Sequence, residues 1–436
     1  MRGAPRFRRR DLGPLAAAAF AAWAVPAWAQ DGGGDKGGGG DKGGGGDKGG
    51  GGAAPGAGSA PPAKKKKTVV DSALEWLKRH QDADGRWNSA WFTSRCSGAV
   101  CTGPGEAVAY VRTSGLALFA FLGAGETHQS GEFKETVKEG LKYLRNIQDI
   151  EGCFGARVAS CWLENHLAAA VAMVETYGMT QSVIFKDSAR RGVEFALRVL
   201  DPAKGFRSDL HDAEPTAAEV GDLVLLLRSA HLAELLPDRA PLSAAGTWFD
   251  DRFDAKTLAM RAPDPKAPPD PFAADDLATY AGLARVWCPA DVATVRADPL
   301  IPKLADRLAS KPPLWAPSPK GKMSFAAWER RSQFLFQAGG KKHIAWCRAL
   351  GDLLFAHIDR EGCADGSWAP VDVDSARRGR AEATARCALA NEVWYRYGRR
   401  TDPPKADTPP APPAPAPAPS PGPSTEPPTK PDDAPK

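Results

Sequence analysis

The stretch "QDADGRW" at residues 81–87 is written a second time, as "QDIEGCF", at 148–154. Each follows a run whose apolar residues recur at helical spacing with charges on the other face (VVDSALEWLKRHQ, 69–81; and 134–148). Each precedes a run that is apolar nearly all round (TSGLALFAFLGAG, 113–125; WLENHLAAAVAMVETYG, 162–178). The first kind of helix keeps one face in water; the second must be buried on every side. Between them Gly85 and Gly152 supply the turn, with Gln81 and Gln148 four residues before and Trp87 and Phe154 two residues after. The Gln amide and the aromatic ring are expected to pin each corner to the neighbouring unit. Gly178 is the expected C-cap of the second apolar helix.

The pattern continues along the chain. A third pair runs through 188–200, the corner LDPAKGF and 216–235; degenerate fourth and fifth pairs occupy 243–260 with 273–287 and 299–309 with 324–337. The sixth joins 343–358 to 380–397 through "ADGSW", with Gly366 and Trp368. Six units at a spacing of about 50 residues predict a repeat architecture. An open solenoid would leave the all-apolar inner helices wet on one side. The fold class predicted is therefore all-α, an α/α toroid of six outer/inner helix pairs closed into a ring, over residues 68–400.

The ends cannot join that core. Residues 1–29 place Arg6, Arg8, Arg9 and Arg10 before an eleven-residue apolar run ending at Ala27-Trp28-Ala29, the layout of a secretory signal with a twin-arginine route open and no membrane anchor. A secreted or periplasmic location follows as an expectation. Residues 1–30 hold five Arg and one Asp, so their loss lowers the formal charge from +5 to +1, and no nucleic-acid footprint survives. Residues 30–67 are Gly-rich and end in Lys64, Lys65, Lys66 and Lys67, a solvated charge run capable at most of a weak surface contact. Residues 401–436 are Pro-rich; both segments are expected to be disordered. In an exported chain eight Cys suggest disulfides, with Cys96–Cys101 and Cys153–Cys161 as local bridges and Cys288, Cys347, Cys363 and Cys387 open between thiol and bridge.

The corners after "ALEWLKRHQ" and "GLKYLRNIQ", the "TSGLALFAFLGAG" helix, "ENHLAAAVAMVETYGMT" and "SQFLFQAGG...AWCRAL...DGSWAP" resemble the prenyltransferase and squalene-oxidase repeat family over essentially all of 68–400, in particular the secreted stand-alone toroids of Planctomycetes-like bacteria. The resemblance implies the toroid of terpenoid cyclases, protein prenyltransferase β subunits and macroglobulin-like thioester domains. It does not carry their chemistry with it.

Each of those chemistries has a residue signature. The cyclase Asp-x-Asp-Asp acid is absent: "FDDRFD" (Asp250, Asp251, Asp254) reads as a solvated face, and Asp275 and Asp276 in "FAADDLATY" open an inner helix, where carboxylates cap regardless of function. His166 and Cys387 fall in inner helices without the Asp-x-x-x-Cys of a prenyltransferase zinc site, "EGCFGAR" lacks the rest of a thioester, and "SDLHDAE" (Asp209, His211, Asp212, Glu214) reads as a polar loop. No metal and no cofactor is assigned. An opposed carboxylate pair of the glycan-cleaving kind is left open among Glu164, Glu219, Asp275, Asp276, Glu329 and Glu382, with no spacing to single one out.

If the six inner helices run in one direction, their N-termini meet at one mouth, with Arg112, Asn165, His166, Glu219, Asp276, Glu329, Arg330 and Arg380 around it. These are the expected ligand-binding residues, and Glu164, His166, Asp275 and Asp276 are the only catalytic candidates. The expected function is non-catalytic binding of a peptide, glycan or lipid in the cavity or mouth. The alternatives are a terpenoid-cyclase-like or polysaccharide-lyase-like enzyme, and a structural interaction ring.

Overall fold

The computed structural model describes residues 67–158, 160–261, 271–317 and 323–396. The readings of a signal segment, of Lys64, Lys65 and Lys66, and of the Pro-rich tail fall outside these residues; Lys67 pairs with Glu75 at 2.6 Å. In chain order the helices are α1 (Val69–Arg79), α2 (Tyr110–Gly123), α3 (Lys134–Asn146), α4 (Trp162–Thr180), α5 (Val183–Val199), α6 (Ala217–Leu232) and α7 (Ala240–Arg252). After the hairpin β1 (Phe253–Asp254) and β2 (Ala259–Met260) come α8 (Pro271–Trp287), α9 (Val292–Ala297), α10 (Leu300–Ala309), α11 (Phe325–Ala338), α12 (Gly340–His357), α13 (Val373–Arg378) and α14 (Arg380–Arg396).

Inner helices pack α2 on α4, α4 on α6, α6 on α8, α8 on α11, α11 on α14 and α14 back on α2, which closes the ring. No helix among the described residues is long and apolar enough to cross a membrane. Sequence and structure differ at four places. The helix predicted over 243–260 stops at Arg252, because Asp254 Oδ1 accepts the N–H groups of Lys256 and Thr257 and folds the chain into the antiparallel β1–β2 hairpin. Gly178 lies within α4, which runs on to a left-handed Gln181. The short helices α9 and α13 carry no periodic signal of their own.

At the first two corners the Gln amide reaches the neighbouring unit, whereas the Trp indoles of the first and sixth corners bond back to their own unit. Gln81 Nε2 donates to Gly85 O (2.8 Å) and across to Thr136 O (3.0 Å) on α3. Gln148 Nε2 repeats this with Gly152 O (3.1 Å) and Ser188 O (3.0 Å) on α5. Trp87 and Trp368 are buried and donate their indole N–H back to Leu77 O (2.7 Å) and Leu354 O (2.9 Å) on their own outer helices. The sixth corner closes the circle onto the first unit: at Gly366 (φ +94°) the backbone approaches α1 so closely that a Cβ would stand 2.3 Å from Ser72 O. Gly366→Ala is therefore expected to cost at least the 1–2 kcal/mol, roughly, of left-handed backbone, with the clash added. A lowered thermal midpoint checks it.

Candidate active site at the mouth of the ring

Charged residues in the first two turns of the inner helices meet one another at matching depth, which shows that these helices run in parallel and share one mouth. Arg112 on α2 donates from Nε to Glu382 on α14 (3.0 Å) and from Nη1 to Glu164 on α4 (3.1 Å). Arg378 also binds Glu164, and Arg386 binds the fully buried Glu329 on α11. Arg330 reaches Asp222 on α6 at 2.7 Å. Burial alone would raise the Glu382 carboxyl, yet Arg112 and Arg386 outweigh it and hold it below the usual carboxylate range. Burial likewise opposes the charges on Arg112, Arg330 and Arg386, and the carboxylates beside them prevail.

The expected mixed-charge mouth is thus present, but its charges are spent on each other. Between Arg112, Phe119, Asp222, Arg330 and Arg386 a space of only about 20 Å³ remains. That holds about one water molecule, whereas ligand pockets run to roughly 300–1,000 Å³. Among the described residues, the space between these side chains does not hold a peptide, glycan or isoprenoid.

Room lies to one side, over the start of α8. Asp275 is turned outward and held by Arg307 (2.7 Å) and Lys311, while Asp276 points to Arg331 on α11 (3.1 Å) with a fifth of its side chain exposed. Burial, with Asp275 adding to it, pushes the Asp276 carboxyl up to about 7 despite Arg331. A carboxylic acid at that value carries its proton at neutral pH and can give it away. Leu277, the next residue, lines an open cavity of about 710 Å³ whose wall also includes Glu214, Thr216, Trp248, Asp251 and Arg252. This cavity stands where the N-terminus of α6, the end of α7 and the hairpin meet α8.

Other expected mouth residues are structural. His166 is fully buried: its Nδ1 accepts the Phe154 N–H (3.2 Å) and its Nε2 faces Gly192 O (3.1 Å), which makes Nε2 the protonated nitrogen. Burial lowers its pKa to about 4, so it is a neutral pin for the second corner and no base. Asn165 accepts from the Arg112 N–H (3.2 Å) and donates to Val108 O (2.8 Å). Glu219 completes a capping box with Thr216. Arg380 is buried on Asp359, Ser367 Oγ and Thr102 O, away from any opening. Sequence reading missed Asp222, Arg378 and Arg386. For Asp222 the signal was a charge within an apolar stretch of an inner helix, which has to find a partner.

The cysteine readings also need correction. Cys96, Cys101, Cys153 and Cys161 are free thiols and neither local bridge is formed. Cys153 is buried in the corner while Cys161 turns its sulfur to Val108 O, and Cys96 and Cys101 turn theirs to His80. Cys363 joins this last group from the sixth corner, so that the His80 nitrogen and three sulfurs lie within 4.8 Å of one another.

No protein-family model matches the chain, and no curated protein matches it. Solved structures do. An inactive variant of an α-1,6-mannanase from a Salegentibacter species, two consecutive aspartates replaced by asparagine and α-1,6-mannotriose bound, aligns with a TM-score of 0.51 at 12% identity over 75% of this chain and 98% of that one. An α-amylase from Clostridium perfringens aligns with a TM-score of 0.51 at 11% identity over 75% and 97%. At these identities the likeness establishes the α/α toroid. Membership of the prenyltransferase and squalene-oxidase repeat family is not shown by it. The expectation of a non-catalytic binder is overturned by the likenesses just given, whose solved toroids are named as an α-1,6-mannanase and an α-amylase.

Proposed function

We propose that this chain cleaves the glycosidic bonds of an α-linked polysaccharide at the mouth of the ring, with Asp276 as the general acid. The observation that carries the reading is the Asp276 carboxyl, a fifth exposed beside Arg331 and held at about 7. A leaving sugar oxygen needs a proton at neutral pH, and an ordinary aspartate cannot keep one there. A second carboxylate must attack the anomeric carbon or activate water, and Asp251 and Glu214, on the wall of the cavity that Leu277 also lines, are the candidates for it. Asp275, fixed by Arg307 and Lys311, anchors the start of α8 beside its neighbour. The mannanase is inactive with two consecutive aspartates replaced; this chain has two consecutive pairs among its described residues, Asp250–Asp251, of which Asp251 lines this cavity, and Asp275–Asp276, which directly precedes the lining residue Leu277.

A terpenoid-cyclase-like reading is disfavoured by the filled lumen. Export, suggested by residues 1–29, would bring the enzyme to polysaccharides outside the cell. The test is release of reducing ends from α-linked mannans and glucans across the pH range. Because the acid must be protonated, kcat/KM is expected to fall tenfold per pH unit above about 7. A profile flat from pH 6 to 9, or no cleavage of any such polymer, would remove Asp276 from the role.

A further inference from the structure

His80 closes α1 as its C-cap and is fully buried, stacked on Trp76 at 4.0 Å. Its Nδ1 lies 2.9 Å from Trp76 O, so the proton sits on Nδ1 and the Nε2 lone pair is free. That lone pair faces three sulfurs: Cys363 Sγ at 3.3 Å, Cys96 Sγ at 3.6 Å and Cys101 Sγ at 3.7 Å. All four donor atoms lie within 4.8 Å of one another. In a tetrahedral zinc site, with Zn–S near 2.3 Å and Zn–N near 2.0–2.1 Å, the nitrogen–sulfur edge is about 3.6 Å and the sulfur–sulfur edge about 3.8 Å. The three nitrogen–sulfur separations, 3.3, 3.6 and 3.7 Å, lie about that edge.

We infer that His80, Cys96, Cys101 and Cys363 form a structural Cys₃His zinc site. Its surroundings are those of ligated thiolates: Cys101 N–H donates to Cys96 Sγ (3.3 Å) and Ser97 N–H to Cys363 Sγ (3.4 Å), while the carbonyl on Nδ1 fixes the imidazole. Three thiolates and an imidazole select zinc, and a set with four protein ligands leaves no position for substrate. A Cys96–Cys101 disulfide would use two sulfurs and strand the other two ligands. The site joins the end of α1 and the 96–101 loop of the first unit to the corner of the sixth, so the ion clasps the ring at the seam where Gly366 meets Ser72. It stands apart from the proposed active site, and its test needs no activity.

The full-length protein, produced with zinc supplied and purified without chelator, is expected to contain about one zinc per chain by elemental mass spectrometry, with Cys96, Cys101 and Cys363 alkylated only after metal removal. Stripping the ion should lower the thermal midpoint by at least about 5 °C. Cobalt added to the stripped wild-type protein should give thiolate-to-cobalt charge transfer and the intense visible bands of a tetrahedral ion, a readout that does not depend on any variant folding. Cys363→Ser should lose the metal and Cys153→Ser keep it. Sub-stoichiometric zinc in folded protein, a metal other than zinc, octahedral cobalt, or a Cys96–Cys101 disulfide in the peptide map would each overturn the assignment.

Discussion

Replacing Asp276 by Asn is expected to lower kcat on the polysaccharide substrate by roughly 10²–10⁴-fold, the usual contribution of a positioned general acid, with little change in KM. The side chain keeps its size and can still accept from Arg331, so loss of the proton is the main change. Stability should move the other way. A carboxyl raised from 3.8 to about 7 by burial favours folding while it is protonated, and that contribution is lost as pH rises from about 4 through 7. At pH 8 the wild-type protein carries the unfavourable buried charge and the Asn variant does not. Its thermal midpoint at pH 8 should therefore equal or exceed that of the wild type. Activity lost together with stability would instead mark Asp276 as a structural residue.

The second large effect lies in the filled lumen. Glu329 is fully buried, bound by Arg386 and facing Arg330 at 3.4 Å and Gln333 at 3.1 Å. Glu329→Ala removes the anion and leaves buried cations short of charge, for an expected loss of about 3–5 kcal/mol, read as a drop in the denaturation midpoint at unchanged slope. The joint replacement Glu329→Met with Arg386→Leu removes both charges and should recover much of that loss, because the pair is costly to bury in the first place. If the single substitution were as stable as the wild type, the network would not be holding the inner helices in register.

The toroid could be read from the sequence because its causes are local. The all-apolar periodicity of 113–125 and 162–178 needs burial on every side, and a Gly forced to positive φ next to a neighbouring carbonyl, as at Gly85 and Gly152, leaves a repeated corner. The hairpin at 253–260 was missed because one Asx turn at Asp254 overrides a helical pattern. The mouth was half legible: its charges follow from helix direction, but their mutual pairing depends on residues on five different inner helices. Asp276 shows the same limit, since an aspartate at a helix start is ordinary and only three-dimensional burial sets it apart. The His80 cluster was least legible, because Cys363 lies 283 residues from His80 and meets it only through ring closure. The Cys96–Cys101 spacing, read in an exported chain, pointed to a disulfide instead.

The most direct measurement is mass spectrometry of α-linked manno- and gluco-oligosaccharides after incubation with the full-length protein in heavy-oxygen water. Hydrolysis at the mouth should give shorter sugars with one heavy oxygen at each new reducing end, and Asp276→Asn should give none. Intact oligosaccharides, or unsaturated products without the label, would contradict it.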